Sequence, residues 1–292
     1  MRPTPRRLTI ALLPAFVACS TPPVPIPDDP RQALDLAQAF LERDEPNTTI
    51  GILDALDEDV MTNDERARAE ALRIQALYRT KDYWEAFRVA RGFVEQHRFS
   101  ELAGTIEEFE FRTGRALIQD DDDDGVTVLQ HFVERFPAST YAAEAYKLLG
   151  EFAFAEEDYA IAEVRFSDLL RSHPTSEWAA FARFRLAITA FLRVRGPEYD
   201  FAQMTLARNE LRDYLALDPE RPEFRREAQQ ALAKTEAWLA RRHLIIADFY
   251  RTVGSAAGER MHLRRASESF PGTPAGQTAA TRLGRLGPEA TP

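Results

Sequence analysis

The feature that most constrains the fold is a short pattern that recurs along the chain. An amphipathic segment ends, a proline follows, and a serine or threonine usually stands two residues later. Five stretches align in this way, with Arg98 in place of the proline in the first: FVEQHRFSELA from Phe93, FVERFPASTYA from Phe132, LLRSHPTSEWA from Leu169, YLALDPERPEF from Tyr214 and ASESFPGTPAG from Ala266. Proline ends one helix and the hydroxyl side chain can cap the next, so the pattern predicts repeated helix pairs.

The segments between these markers have helical periodicity. In RQALDLAQAFLERD, for example, Ala33, Leu36, Ala37 and Phe40 share one face, and no stretch after residue 31 alternates like a strand. We therefore expect an all-α protein. The predicted pairs are 31–43 with 47–58, 64–80 with 82–97, 101–118 with 123–136, 138–156 with 158–172, 177–194 with 200–217 and 221–251 with 255–269, followed by a last helix at 274–285.

One unit matches the tetratricopeptide pattern position by position. With Pro174 as its last marker, the preceding positions hold the expected residue types: Tyr146, Leu149, Gly150, Ala162 and Phe166. The small residues let the two helices approach, and the large ones fill the space between them. The fold class that we predict is a tetratricopeptide-type helical-hairpin solenoid.

The first 18 residues resemble an export signal. Three arginines precede LTIALLPAFVA, an apolar run that is too short to span a bilayer. Phe16-Val17-Ala18-Cys19 resembles the cleavage box of bacterial lipoproteins, with phenylalanine in place of the usual leucine. We expect residues 1–18 to be a lipoprotein signal peptide and Cys19, the only cysteine, to be lipidated. A plain secretory signal that leaves a free thiol is the alternative.

Residues 19–30 are predicted to be a proline-rich, semi-rigid linker. Without the three arginines of the signal, 34 positive residues face 47 negative ones, a net charge of −13. This balance argues against a nucleic-acid partner and against adhesion to anionic lipid through charge, so the lipid itself would hold the membrane.

No catalytic or metal motif stands out. Asp120–Gly125 resembles the start of a calcium loop, but His131 occupies the place of the final glutamate, which favours a solvated turn between helices. The five histidines lack zinc spacing. We expect no metal, no cofactor and no enzymatic activity. A glycan hydrolase or lyase built from paired carboxylates is the enzyme alternative.

A peptide groove is predicted on the inner face of the solenoid, along the first helix of each pair. Two consecutive first helices supply its candidate residues: Glu144, Lys147, Glu151 and Phe154, then Phe181, Phe184 and Phe191. Exposed aromatic side chains often mark recognition surfaces. The alternative is that the next helices cover these phenylalanines as core.

The C-terminal portion resembles the BamD family, lipoproteins of the outer-membrane β-barrel assembly machinery. The resemblance rests on FVERFPASTYAAEA, LLRSHPTSEWAAFARFRLA, GPEYDFAQMTLARNELRDYLALDP, EAQQALAKTEAWLARRHLIIADFY and ESFPGTPAG. The most specific matches are Ala247, Asp248, Phe249 and Tyr250, then Phe270, Pro271, Gly272 and Thr273. The family has a partner-contacting arginine nine residues before the last proline. Here that position is His262, between Arg260 and Arg264, and these three are the candidate partner contacts.

The resemblance implies a scaffold anchored by lipid to the periplasmic side of the outer membrane. Its partner would be the barrel-forming assembly protein or another envelope protein. We assign residues 31–118 to N-terminal helical repeats that the family does not need, 119–286 to a BamD-like tetratricopeptide domain, and 287–292 to a disordered tail. The alternative function is a tetratricopeptide scaffold for cell-envelope or cell-division complexes.

Overall fold

A computed structural model describes residues 24–97, 99–218 and 220–286. The signal peptide, Cys19 and the tail at 287–292 lie outside these residues. The described part contains α-helices and one 3-10 turn, Glu58–Val60, and no strand. The helices are α1 (Pro30–Glu42), α2 (Pro46–Asp54), α3 (Asn63–Thr80), α4 (Tyr83–Gln96), α5 (Ala103–Gln119), α6 (Asp124–Arg135), α7 (Ala142–Ala155), α8 (Tyr159–Ser172), α9 (Ala179–Leu192), α10 (Phe201–Ala216), α11 (Pro222–Thr252), α12 (Ala256–Ser269) and α13 (Pro274–Arg285).

The predicted all-α solenoid of helix pairs is confirmed. One difference concerns the end of α2, which lies at Asp54 instead of 58. Asp57 accepts a hydrogen bond from the backbone of Asp59 and starts the 3-10 turn that follows. The apolar period of the sequence continues through this segment, and a local side-chain bond of this kind competes with the helix.

The turns inside the pairs share one geometry. Residues in the left-handed region follow α1, α3, α5, α7 and α11, with φ between 60° and 76°. In each of these turns the next N–H donates to a carbonyl five residues earlier, as from Asp82 to Leu77 and from Asp158 to Ala153. This is the Schellman arrangement, which satisfies the last carbonyls of a helix. Four of the five left-handed residues are not glycine: Asp44, Lys81, Asp121 and Glu157.

The turns between pairs repeat as well, but the predicted capping is only partly correct. Thr273 caps α13 by accepting from the N–H of Gly276. Ser139 accepts from Tyr141 before α7 begins, so it closes the turn and does not cap the helix. The backbone explains the shift, because an extra turn between Phe136 and Ala142 moves the start of the helix away from the hydroxyl.

Close packing between α7 and α8, the best-matched pair, agrees with the tetratricopeptide prediction. Ala162 and Phe166 of α8 are buried in one cluster with Ala153 of α7, and Tyr146 of α7 packs against it. Leu149 is buried in the neighbouring cluster with Phe111 and Phe132. A Cβ atom placed on Gly150 would lie 2.6 Å from the ring of Phe166, so glycine is what permits this approach. The sequence positions that define the repeat are therefore its helix–helix contacts.

The first helices of the pairs form the inner layer. Neighbouring pairs contact each other along first helices, namely α1 with α3, α3 with α5, α5 with α7, and α9 with α11. Within the described residues, the second helices of successive pairs make no comparable contacts. The stack therefore curves with α1, α3, α5, α7, α9 and α11 on its concave side.

The last helix, α13, packs on both helices of the final pair. Arg282 joins it to them: its guanidinium lies 2.8 Å from Asp248 on α11 and 2.9 Å from Glu259 on α12. Glu259 is buried, so this ion-pair network fixes the C-terminal end of the solenoid.

Candidate binding groove

The predicted inner-face groove is built around an arginine that the sequence analysis did not single out. Arg185 on α9 makes two parallel hydrogen bonds to Glu151 on α7, at 2.7 and 3.0 Å. Its guanidinium also lies 4.2 Å from the ring centroid of Phe154. Such a bidentate, ring-stacked arginine is rigid. It connects α7 to α9 and fixes the position of Phe154.

Two lysines lie over aromatic rings on the same side of the molecule. The ammonium of Lys147 is 5.1 Å from the ring of Trp178 and 5.8 Å from that of Phe181. Lys234 on α11 lies 5.0 Å from the ring of Trp238 and 5.6 Å from that of Phe191. At these distances the ring quadrupole attracts the cation.

A cavity of about 380 Å³ opens between α7, α9 and α11. Its lining is mainly apolar, with charged groups at the edge, and includes Phe154, Arg185, Ile188, Phe191, Glu227 and Lys234. Two of the predicted groove phenylalanines, Phe154 and Phe191, thus face this cavity. Phe191 is held in place by parallel stacking on Trp238, with ring centroids 5.7 Å apart.

The prediction that Phe184 lines the groove is wrong. Phe184 is 2% exposed, and its ring stacks on that of Phe224 at 4.2 Å and contacts Tyr214. Helices α10 and α11 cover it, so it belongs to the core between two pairs. Phe181 is half-buried, between the rings of Phe166 and Phe224.

The remaining candidate, Glu144, lies 3.7 Å from Arg115 on α5 and extends the charged inner face towards the N-terminal repeats. Sequence reasoning missed Arg185, Lys234 and Trp238. Arg185 could have been found from the sequence, because it lies 34 residues, about one repeat, after Glu151 and on the corresponding helix face. Lys234 and Trp238 lie in the long helix α11, and the repeat pattern does not predict which of its faces points to the groove.

At the C-terminal end, the prediction that His262 contacts a partner is wrong. His262 is buried, and its Nδ1 lies 3.1 Å from Nδ1 of His243 on α11. Burial lowers the pKa of both histidines, that of His243 to about 4 with further help from the His262 charge. The neutral pair packs against Tyr250 and Phe270. It is a core contact of α11 with α12.

The two arginines beside His262 lie closer to the surface. Arg264 is exposed, and Arg260 is half-buried, with a hydrogen bond of 3.3 Å to the backbone oxygen of Leu286.

The acidic run at Asp120 is a turn between helices, as predicted. Asp121 has the left-handed conformation, and Asp122 accepts a hydrogen bond from the N–H of Asp124 at 3.0 Å, next to the start of α6. The carboxylate oxygen therefore engages the first turn of the helix. Within residues 24–97, 99–218 and 220–286, no group of three His, Cys, Asp or Glu side chains is placed to hold a metal ion.

Of the helices that the structure describes, none combines the length and the hydrophobicity needed to cross a bilayer.

The family comparison gives one match that covers most of this architecture. Residues 108–283, more than half of the chain, match the family model YfiO, described as an outer membrane lipoprotein. The matched region runs from within α5 to within α13, and it contains α7, α9 and α11, which form the groove. Helices α1 to α4 precede it. None of the curated proteins compared with the sequence matches it.

Solved structures of low sequence identity also align with the chain. One is MamA from Desulfovibrio magneticus RS-1, residues 41 to the end, with 16% identity and a TM-score of 0.38. The alignment covers 68% of this chain and 99% of that one. Another is a tetratricopeptide repeat protein from Parabacteroides merdae ATCC 43184, with 12% identity, a TM-score of 0.40, and coverage of 88% and 98%.

Proposed function

The chain belongs to the YfiO family of outer-membrane lipoproteins, also known as BamD, and we propose that it is a non-enzymatic scaffold in outer-membrane β-barrel protein assembly. Lipid on Cys19 holds it to the periplasmic side of the outer membrane, and the helical repeats bind partner proteins. The observation that carries the proposal is the position of the groove. It lies on three consecutive inner helices within the residues that match the family.

The groove suits protein binding better than chemistry. Its polar groups are a closed Glu151–Arg185 pair and lysines over aromatic rings, and the floor is formed by Phe154, Ile188 and Phe191. Apolar floors with a few fixed polar groups are typical of recognition sites on repeat proteins. We infer that the barrel-forming assembly protein, another envelope protein or an unfolded substrate occupies this side of the solenoid.

The membrane part of the proposal rests on the sequence around Cys19. A diacyl anchor uses the single thiol, and two or more acyl chains hold a protein to a bilayer far more firmly than one. Labelled fatty acid should enter the wild-type protein and not a Cys19→Ala variant. Equal incorporation of fatty acid into both proteins, or none into the wild type, would contradict lipidation of Cys19.

Co-purification tests the scaffold itself. The tagged mature protein is isolated from detergent-solubilised envelopes, and the recovered proteins are identified by mass spectrometry. We expect the barrel-forming assembly protein among the strongest partners. Its absence from a preparation in which the helical content is intact would contradict the proposal.

Helices α1 to α4 favour a second candidate role, because they lie outside the matched residues 108–283. They give the chain an additional surface for a cell-envelope or cell-division complex. Deleting residues 31–97 should then remove one set of partners and retain the other. If every partner is retained, the additional surface has no role in binding.

A further inference from the structure

The choice of cation in the groove is unusual for this chain. Only three of its 37 basic residues are lysines, at positions 81, 147 and 234, and the other 34 are arginines. Two of the three lysines are those on the groove side. A surface that otherwise uses arginine almost throughout thus has two compact ammonium groups on this side: Lys234 lines the cavity, and Lys147 lies outside it, over the rings of Trp178 and Phe181.

The lysines of the groove differ from its arginine in their partners. Arg185 is bonded to both oxygens of Glu151, so its charge is satisfied within the protein. Lys147 and Lys234 contact aromatic rings, and within the described residues neither lies within 4 Å of a carboxylate oxygen. Their ammonium groups retain N–H groups that can donate hydrogen bonds to a carboxylate of a bound partner.

The cavity that Lys234 lines accepts an apolar group. Phe154 and Phe191 are held in fixed positions by Arg185 and Trp238, and Ile188 completes the floor. Glu227 lies at the rim on α11, seven residues before Lys234, and repels a carboxylate placed there. Negative charge is thus favoured beside the lysines and disfavoured elsewhere along the rim.

We propose that the groove binds an extended polypeptide segment in which acidic side chains flank an apolar one. This inference rests on the proposed scaffold function and specifies the chemistry of the partner. The acidic side chains pair with Lys147 and Lys234, and the apolar side chain enters the cavity of Phe154, Ile188 and Phe191. The chain is acidic overall, but charge further away than about 8 Å is screened at physiological salt. The pairing of the acidic side chains with the two lysines therefore determines whether the segment binds.

The three lysines allow a direct test. The mature protein, purified in a non-ionic detergent, is reductively methylated with ¹³C-formaldehyde, which labels lysines and keeps their charge. The probe is a synthetic dodecapeptide with aspartates on both sides of a central Leu-Phe-Leu. Its control has asparagine at every aspartate position. Lys81, in the exposed turn between α3 and α4, is the internal reference.

We expect the methyl signals of Lys147 and Lys234 to shift on titration with the acidic peptide, while the signal of Lys81 stays unchanged. Lys147→Gln and Lys234→Gln should each weaken binding about fivefold, and Lys81→Gln should leave it unaltered. Equal binding of the asparagine peptide, a shift of Lys81 as large as the others, or no shift at all would overturn the proposal.

The outcome is separable from that of the scaffold proposal. If the peptide fails to bind but the barrel-assembly protein co-purifies, the scaffold function stands and the acidic segment is wrong. If the peptide binds as expected and no barrel-assembly protein is recovered, the groove chemistry stands and the partner belongs to another complex.

Discussion

Nδ1 of His131 on α6 lies 2.6 Å from Oε1 of Glu110 on α5, a carboxyl group that is completely buried. The other oxygen, Oε2, has no hydrogen-bond partner within the described residues. The imidazole also contacts the ring of Phe87 on α4, edge to face at 5.4 Å. One histidine therefore links the N-terminal repeats to the first pair of the family-matched region.

This pair predicts that acid strengthens the fold. The hydrogen bond to Glu110 raises the pKa of His131 above 6.5, and burial raises the pKa of Glu110 above 4.5. Both groups hold protons more tightly when folded, so stability is gained as pH falls through the raised pKa of His131 and is lost as pH rises through it. The neighbouring charges are those of Arg91, Glu107 and Arg135.

Glu110→Gln tests this dependence, because glutamine keeps the shape and cannot titrate. Urea unfolding of the wild type should show higher stability at about pH 5.5 than at about pH 8.5, and the variant should lose most of that difference. Glu95→Gln, at an exposed position of α4, is the control and should behave as the wild type. An unchanged pH dependence in Glu110→Gln would refute the role of the pair.

Two glycines provide a matched test of helix packing. Gly150→Ala forces a methyl group to within 2.6 Å of the buried Phe166 ring and should cost about 1–3 kcal/mol of stability. Gly92→Ala lies inside α4 with no atom near its added Cβ, and it should stabilise the protein by up to about 1 kcal/mol through helix propensity. Urea midpoints measure both. Stabilisation by both substitutions would mean that helix propensity, and not close approach, governs Gly150.

The groove and core phenylalanines should respond differently to truncation. Phe184→Ala removes a buried, stacked ring and should lower the free energy of unfolding by about 3–5 kcal/mol. Phe154→Ala, at a half-buried ring beside the cavity, should lower the thermal midpoint much less than Phe184→Ala and should weaken partner binding. Circular dichroism and co-purification report the two effects. An unchanged free energy of unfolding in Phe184→Ala would contradict its position in the core and would indicate that it lines the groove.

Arg282 should decide whether α13 stays docked. Arg282→Met leaves the buried Glu259 without its charged partner and should cost about 2 kcal/mol or more. Hydrogen exchange in Pro274–Arg285 should accelerate while exchange in α7 and α8 stays constant. Arg285→Met, at an exposed position of the same helix, is the control. Equal protection of α13 in both variants would show that apolar packing alone holds it.

The sequence predicted the helix pairs because its prolines and its apolar periodicity act directly on the backbone and on burial. Proline at 137, 174 and 271 interrupts each helix, and the apolar period is clear wherever a helix has one buried face. The places of the turns inside the pairs were predicted but their left-handed geometry was not, since Lys81 and Glu157 are residue types that rarely adopt a positive φ. The Schellman hydrogen bond and the pairing of the two helices stabilise that conformation there.

The site was harder to predict for a related reason. Whether Phe184 or His262 is buried depends on α11, a helix of 31 residues that packs across two pairs and has no equivalent in a regular repeat. Glu110 was missed because two glutamates shortly precede it in EEFE and periodicity does not distinguish a buried carboxylate from a solvated one. Phe154 and Phe191, two of the candidate groove residues, line a cavity, but Arg185 and Lys234 could be placed beside them only with α7, α9 and α11 in position.

The most direct test of the central claim is depletion of the protein in its own host, followed by quantitative proteomics of the outer membrane. If the chain is a scaffold for barrel assembly, the abundance of β-barrel proteins should fall together, ahead of growth arrest, while that of other outer-membrane lipoproteins stays constant. Unchanged β-barrel levels during an envelope or division defect would contradict the account.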